Sequence, residues 1–394
     1  MNGLGALGPT LHRLQRQAAV VGALLLAACL VAGVGNPAQF FQSYLEGYLF
    51  WLGVALGCLA VVMIHHLAGG RWGLPVRRLL EAGCRTLPVM ALLFVPFVLG
   101  MPTLYAWARP DVVAADPALQ AKQLYLNVPG FWVRAVIYFA IWVIMALCLN
   151  KWSREQDATG DRQLAIRMKI LSGPGVLLYG LTITFASMDW VMSLEPTWHS
   201  TMYGMIFMAA HGLQGFAFVI IACALLSRGG ALAEVARPAQ FQDLGNLTLT
   251  CLMLWTYTAF SQFLIIWAEN LVDEAPWYLH RTAGGWQGVA LALIVLQFAV
   301  PFALLLSRVV KRSALTLSLV AVGILVMQWV SLVWLVAPAF HPDGLYIHWM
   351  DCATPLGVGG IWLAVFLRGL MDRPLLPLHD PRFAGLPGPA GEAR

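Results

Sequence analysis

Charge is scarce in this sequence. Asp, Glu, Lys and Arg make up only 11% of its 394 residues, about half the share found in an ordinary soluble domain. Apolar residues make up 60%. A water-soluble fold of this length could not hide that much apolar surface, because much of any surface must meet solvent. Lipid is the solvent that suits it. The formal net charge of +5 is modest, and the basic residues stand in short loops between apolar runs. That argues against nucleic acid as a partner.

Cofactor motifs are lacking as well. The seven cysteines are Cys29, Cys58, Cys84, Cys148, Cys223, Cys251 and Cys352, and no two are spaced as C-x-x-C. No C-x-x-C-H occurs either, which argues against covalent haem, an iron–sulfur cluster or a zinc knuckle in this chain. Free Cys in an apolar run behaves as a small hydrophobe. Gly-rich phosphate loops and hydrolase triads are absent, so ATPase and protease chemistry are not indicated. A b-type haem would need axial ligands on facing helices, and His211 is the only deep histidine. The expectation is therefore no metal and no cofactor bound by this chain.

What is present is a series of apolar runs. They predict an all-α integral membrane protein of about ten transmembrane helices, each near the ~20 residues that cross the hydrocarbon. The predicted spans are 18–34, 45–67, 87–105, 131–149, 170–191, 201–226, 247–268, 286–305, 315–335 and 353–370. The first reads as a retained helix, not a signal peptide. Helices 2–5 (45–191) and 6–9 (201–335) suggest two four-helix bundles flanked by helices 1 and 10. Four crossings return the chain to its starting side, so such a repeat would be parallel. The stretch 371–394 is rich in Pro and Gly and reads as a mobile tail.

Lys and Arg alternate between the loops. One side holds Arg71, Arg77, Arg78, Arg85, Lys151 and many others, while the opposite side has only Arg109, Lys122, Arg134 and Arg281. The positive-inside rule puts the rich side, with both termini, in the cytoplasm. Trp190, Trp198, Trp277, Tyr278 and Trp286 fall on the outer side, as an interfacial belt would.

Ionisable residues in or near a span are functional candidates by default. Asp189 ends helix 5, and Ala186, Thr182, Tyr179 and Gly175 share its face. That small, polar stripe suits either a proton path or close helix packing. His211 lies deep in helix 6, with Gly204 and Gly215 on its face and Gln214 nearby. Glu269 ends helix 7, beside Asp273 and Glu274. Arg134 opens helix 4, where it can pair with an acid such as Asp189 or Glu195, or with lipid phosphate. His65 and His66 fall at the cytoplasmic end of helix 2, where reaching water is cheap.

Three stretches are distinctive: FASMDWVMSLEPTWHSTMYG (185–204), SQFLIIWAENLVDEAPWYLHRTAGGWQGVALAL (261–293) and HWMDCATPLGVGGIWL (348–363). Together they resemble the ActF-type membrane subunits of bacterial alternative complex III. These belong to the wider NrfD-like, polysulfide-reductase-like family of quinone-linked membrane anchors. The resemblance runs from helix 1 to helix 10. It implies a subunit of a quinol:cytochrome c (or terminal oxidase) oxidoreductase in the bacterial cytoplasmic membrane, with quinol as the substrate of the complex. The implied partners are a sister ten-helix subunit (ActC-type), an iron–sulfur subunit (ActB-type), multihaem and monohaem cytochrome c subunits (ActA- and ActE-type) and a small membrane subunit (ActD-type). A terminal cytochrome oxidase and lipid complete them. Haem c and iron–sulfur clusters would sit on those partners. The resemblance further implies a scaffold or proton-conducting role. Asp189, Glu195 and His199 fall in the first stretch, with His211 after it. Glu269, Asp273, Glu274 and Arg281 fall in the second, and Asp351 in the third.

The leading expectation is a proton pathway through Asp189 and His211, extended inward by Tyr179 and Thr182, with Glu195, His199, Glu269 and Asp273 as further candidates. Its rivals are a quinol-oxidising subunit, a secondary transporter and a purely structural anchor. The Gly-Pro-Gly at 173–175 hints at the broken helix a transporter would use.

Overall fold

The computed structural model describes residues 8–227, 232 and 235–377. Most of the predicted tail, from 378 onward, lies outside the described residues. Among the described residues nine helices are long and apolar enough to cross a membrane, and a bent pair makes up to ten. The chain is a multi-pass, all-α membrane protein. The spans are α1 (Gly8–Gly33), α2 (Pro37–Ala68), α3 (Arg77–Phe94 with Phe97–Leu104), α4 (Val128–Thr159), α5 (Arg162–Trp190), α6 (Tyr203–Leu226), α7 (Pro238–Glu269), α8 (Trp286–Leu306), α9 (Ala314–Val336) and α10 (Trp349–Met371).

Several spans outrun their apolar runs because polar caps, not hydropathy, set their ends. Asn36 accepts from the Gln39 N–H, and Pro37 follows in the first turn of α2. Asn127 and Asp161 cap α4 and α5 in the same way. Each cap satisfies a backbone donor that would otherwise be orphaned. Gly160, at φ 69°, ends α4 and lets the chain reverse into α5.

Three expectations are corrected. Helix 3 is not one rod: its two pieces meet at 65°. Pro96 opens the second piece, and a proline has no N–H for the preceding turn. The Gly-Pro-Gly stretch, in contrast, breaks nothing, since α5 runs unbroken through Pro174. His65 and His66 do not reach water, because Trp72 and Gly73 fold over His65 and both imidazoles are buried. In α8 the segment Leu293–Ala299 is a π-helix, a rare form that often marks functional sites.

α2 is the central helix and packs against α3, α5, α6 and α10, while α6 packs in turn against α5, α7 and α9. α1 lies along α10. At one end of the molecule the start of α3 meets the ends of α4 and α10 through Arg78–Asp157 and Arg85–Asp372 ion pairs; we term this the basic end. At the aromatic end Trp198 stacks on Trp277, with ring centroids 4.3 Å apart.

Candidate functional site

The closest helix contact at the site is between backbones. A Cβ on Gly57 would fall 2.0 Å from the His211 carbonyl oxygen, and one on Gly215 would fall 2.7 Å from the Gly57 carbonyl carbon. Only glycine permits this approach. The seam sets the depth of His211 and presses its ring and Gln214 against Gly53. From α5, the Tyr179 hydroxyl comes within 3.1 Å of His211 Nδ1. Both side chains are buried. Thr182, one turn along, is already occupied: it accepts from Trp142 Nε1 at 2.8 Å and donates to the Leu178 carbonyl.

Between α2, α5 and α6 lies a cavity lined by His211, Ser187, Trp190, Leu52 and Phe207, among others. The space open to the centre of a water molecule is about 20 Å³, room for about one water. Trp190 Nε1, in the same wall, is buried without a partner among the described residues. Such a donor suits a bridging water. The cavity is too small for a quinone ring.

Asp189 faces α4. Arg134 grips it with two hydrogen bonds, Nε to Oδ2 and Nη2 to Oδ1, both 2.9 Å. Tyr138 donates to Oδ2 at 2.8 Å, and the guanidinium lies 4.0 Å over the Tyr125 ring. Of the acids open to Arg134 from sequence, Asp189 and not Glu195 is the one it meets. Both carboxylate oxygens are thus taken by donors from α4, which ties α5 to α4 at this point.

Sequence reasoning missed Glu46. It started helix 2 at 45, which puts Glu46 at the mouth of the span. The helix starts at Pro37, so Glu46 lies roughly 13 Å further in. The Asn36–Pro37 cap was the signal that would have found it. Glu46 is fully buried, and its Oε2 has no hydrogen-bond partner among the described residues. Its Oε1 lies 3.4 Å from Gln42 Nε2, and Gln42 Oε1 lies 3.1 Å from His341 Nε2. His341 is half-buried just beyond α9. Burial holds its imidazole below the usual value, with Asp351 acting the other way. A neutral ring can take a proton on one nitrogen and release one from the other. Glu46, Gly53 and Gly57 lie on one side of α2. A polar line therefore runs from His341 through Gln42 to Glu46, with the His211–Tyr179 pair two turns deeper. Asp351 is not part of it. Its oxygens take Ser43 Oγ at 2.5 Å, Gln39 Nε2 at 2.9 Å and the His348 N–H at 2.7 Å, fastening α10 to α2.

The remaining candidates lie apart, at the aromatic end. Glu195 pairs with Arg281 at 2.8 Å. Arg281 also donates to the Trp277 and Leu335 carbonyls and covers the Trp277 ring at 3.7 Å. Burial pulls this guanidinium below its ordinary pKa, and Glu195 opposes the shift. His199 lies 3.7 Å from Glu274 and is exposed. Glu269, at the end of α7, and Asp273, just beyond it, are exposed, and their side chains make no hydrogen bond or ion pair among the described residues. Among the described residues no three His, Cys, Asp or Glu side chains converge as a metal would require. No protein-family model matches the chain, and no curated protein is similar to it.

Proposed function

We propose that this chain is the ActF-like membrane subunit of a quinol:cytochrome c or terminal-oxidase oxidoreductase in the bacterial cytoplasmic membrane. Both termini would be cytoplasmic. The chain would supply scaffold and a proton pathway, and its partners the redox centres. The three sequence stretches support the complex. The observation that carries the pathway is Glu46, a fully buried carboxyl with one oxygen unpartnered among the described residues, joined through Gln42 to half-buried His341. A buried acid without a cation exchanges its proton more readily than one locked by arginine. Glu46 and His211 would be the carriers, with Tyr179 and any water the cavity takes up extending the line. Asp189 would anchor α4 to α5.

A mild-detergent pull-down of the tagged chain tests the complex. Multihaem cytochrome c, an iron–sulfur protein and a second ten-helix subunit should come along; the chain alone, free of haem, would sink this reading. Within the recovered complex, Glu46→Gln should cut quinol-driven proton release about 100-fold, within the range a positioned acid–base group supplies, with assembly intact. Unchanged release in both Glu46→Gln and His211→Ala would place the path elsewhere.

A secondary transporter is the second reading. It draws on the broken α3 and the π-stretch of α8. Solute-driven uptake by the isolated chain in liposomes would favour it.

A further inference from the structure

The first two turns of α3 carry Arg77, Arg78 and Glu81, all buried. They meet Ser153 and Asp157 of α4 and the end of α10. Four guanidinium groups (Arg77, Arg78, Arg85 and Arg373) share three carboxylates here. Glu81 takes Arg77 Nε at 2.9 Å, Arg78 Nη1 at 2.5 Å and the Ser153 hydroxyl at 2.7 Å. Asp157 takes Arg78, and Asp372 takes Arg85 at 2.9 Å.

Arg373 is left over. Its nearest acid is Glu81, 3.7 Å from Nη1 and already committed. Among the described residues that buried Nη1 has no hydrogen-bond partner, and neither has Arg78 Nε, on a side chain only 3% exposed. Both arginines line one cavity, with Arg85, Asn150, Glu81 and Gly369. Buried unpaired donors on a surplus cation are costly and are rarely left unmet. The space open to a water centre is about 10 Å³, so one oxygen fits inside while the rest of a ligand stays at the mouth. Arg85, 30% exposed, lies toward that mouth.

We infer that this cavity binds a phosphate group, one oxygen entering between Arg78 and Arg373 and the ester directed to the membrane surface. Glu81 also lines the wall, but Arg77 and Arg78 meet Glu81 and Asp157, and Arg85 meets Asp372, so the one surplus charge falls to Arg373. Guanidinium is well matched to phosphate oxygens. Basic pockets between transmembrane helices near a membrane surface suit acidic lipid head groups. An anionic phospholipid is the expected source, and free phosphate the other.

The test uses the full chain. One arm compares nanodiscs of phosphatidylcholine with and without phosphatidylglycerol, read by thermal unfolding and by lipid retained in native mass spectrometry. The other titrates inorganic phosphate in non-ionic detergent. Phosphatidylglycerol should raise the unfolding midpoint and stay bound through delipidation. Arg373→Gln should weaken retention about tenfold, while the same change at exposed Arg368 should not. A phosphate-only response, lost in Arg373→Gln, would support the site with free phosphate as its ligand. Should Arg373→Gln not fold, Arg373→Lys keeps the charge and should retain lipid several-fold less well. No response to either ligand, or retention undiminished in the Arg373 variants, overturns the proposal.

Discussion

Asp189→Asn is expected to destabilise the protein by about 3 kcal/mol, the usual scale for breaking a buried ion pair. The substitution leaves Arg134 charged in a site where only about a fifth of its side chain meets solvent. Tyr138 loses its anionic acceptor as well. The loss should appear as a lower thermal unfolding midpoint in detergent. Removing both charges tells more. In Arg134→Leu/Asp189→Leu neither group is left unpaired, so much of the stability should return. A double variant as unstable as Asp189→Asn would mean that the pair does more than neutralise itself. The same variants separate two roles. An anchoring Asp189 predicts poor folding but normal proton release in whatever complex still assembles. A carrier predicts normal folding with release abolished.

The second large effect is steric. Gly57→Ala should cost about 3 kcal/mol or more, at or beyond the top of the range for overpacking a core. The added methyl would sit 2.0 Å from a carbonyl oxygen of α6, and that oxygen belongs to the backbone, so no rotamer change relieves the clash. α6 cannot simply retreat, because α7 and α9 hold it from behind. Gly180→Ala is the control. Its new methyl would find Met208 Sδ at 3.5 Å, an ordinary contact. Alanine is also the better helix former by up to about 1 kcal/mol, so this variant should be neutral or slightly more stable. Equal melting behaviour of the two variants would rule out the close seam.

How far the sequence anticipates the structure depends on which force sets each feature. The spans are legible because apolar length is a direct requirement of the bilayer. Their true ends are less so: Asn36, Asn127 and Asp161 extend helices into polar sequence by capping, and a hydropathy reading stops short of them. That error hid Glu46. The bend in α3 was readable at Pro96, yet Pro174 in α5 shows that a proline alone does not decide. The face of α5 that carries Tyr179, Thr182 and Asp189 is buried, as its small and polar pattern suggests. Which partners meet that face is a tertiary fact: Trp142 for Thr182, His211 for Tyr179, Arg134 for Asp189. The arginines at 77 and 78 read from sequence as loop charges. In the fold they are buried, because Glu81 and Asp157 arrive from two helices to meet them.

α2 spans 32 residues, roughly 48 Å of helix, and 89% of its most apolar window is buried inside the protein. For α1 the figure is 17%. The central helix therefore has protein, not lipid, as its solvent. Changes in bilayer thickness or composition act by tilting and bending the helices that lipid touches, which here are α1, α7 and α8 more than α2. The outer helices form a compliant sleeve around a stiff mast. Glu46 on that mast, and His211 held against it by the Gly57 seam, should keep their spacing while the surrounding membrane thins, thickens or changes its lipids.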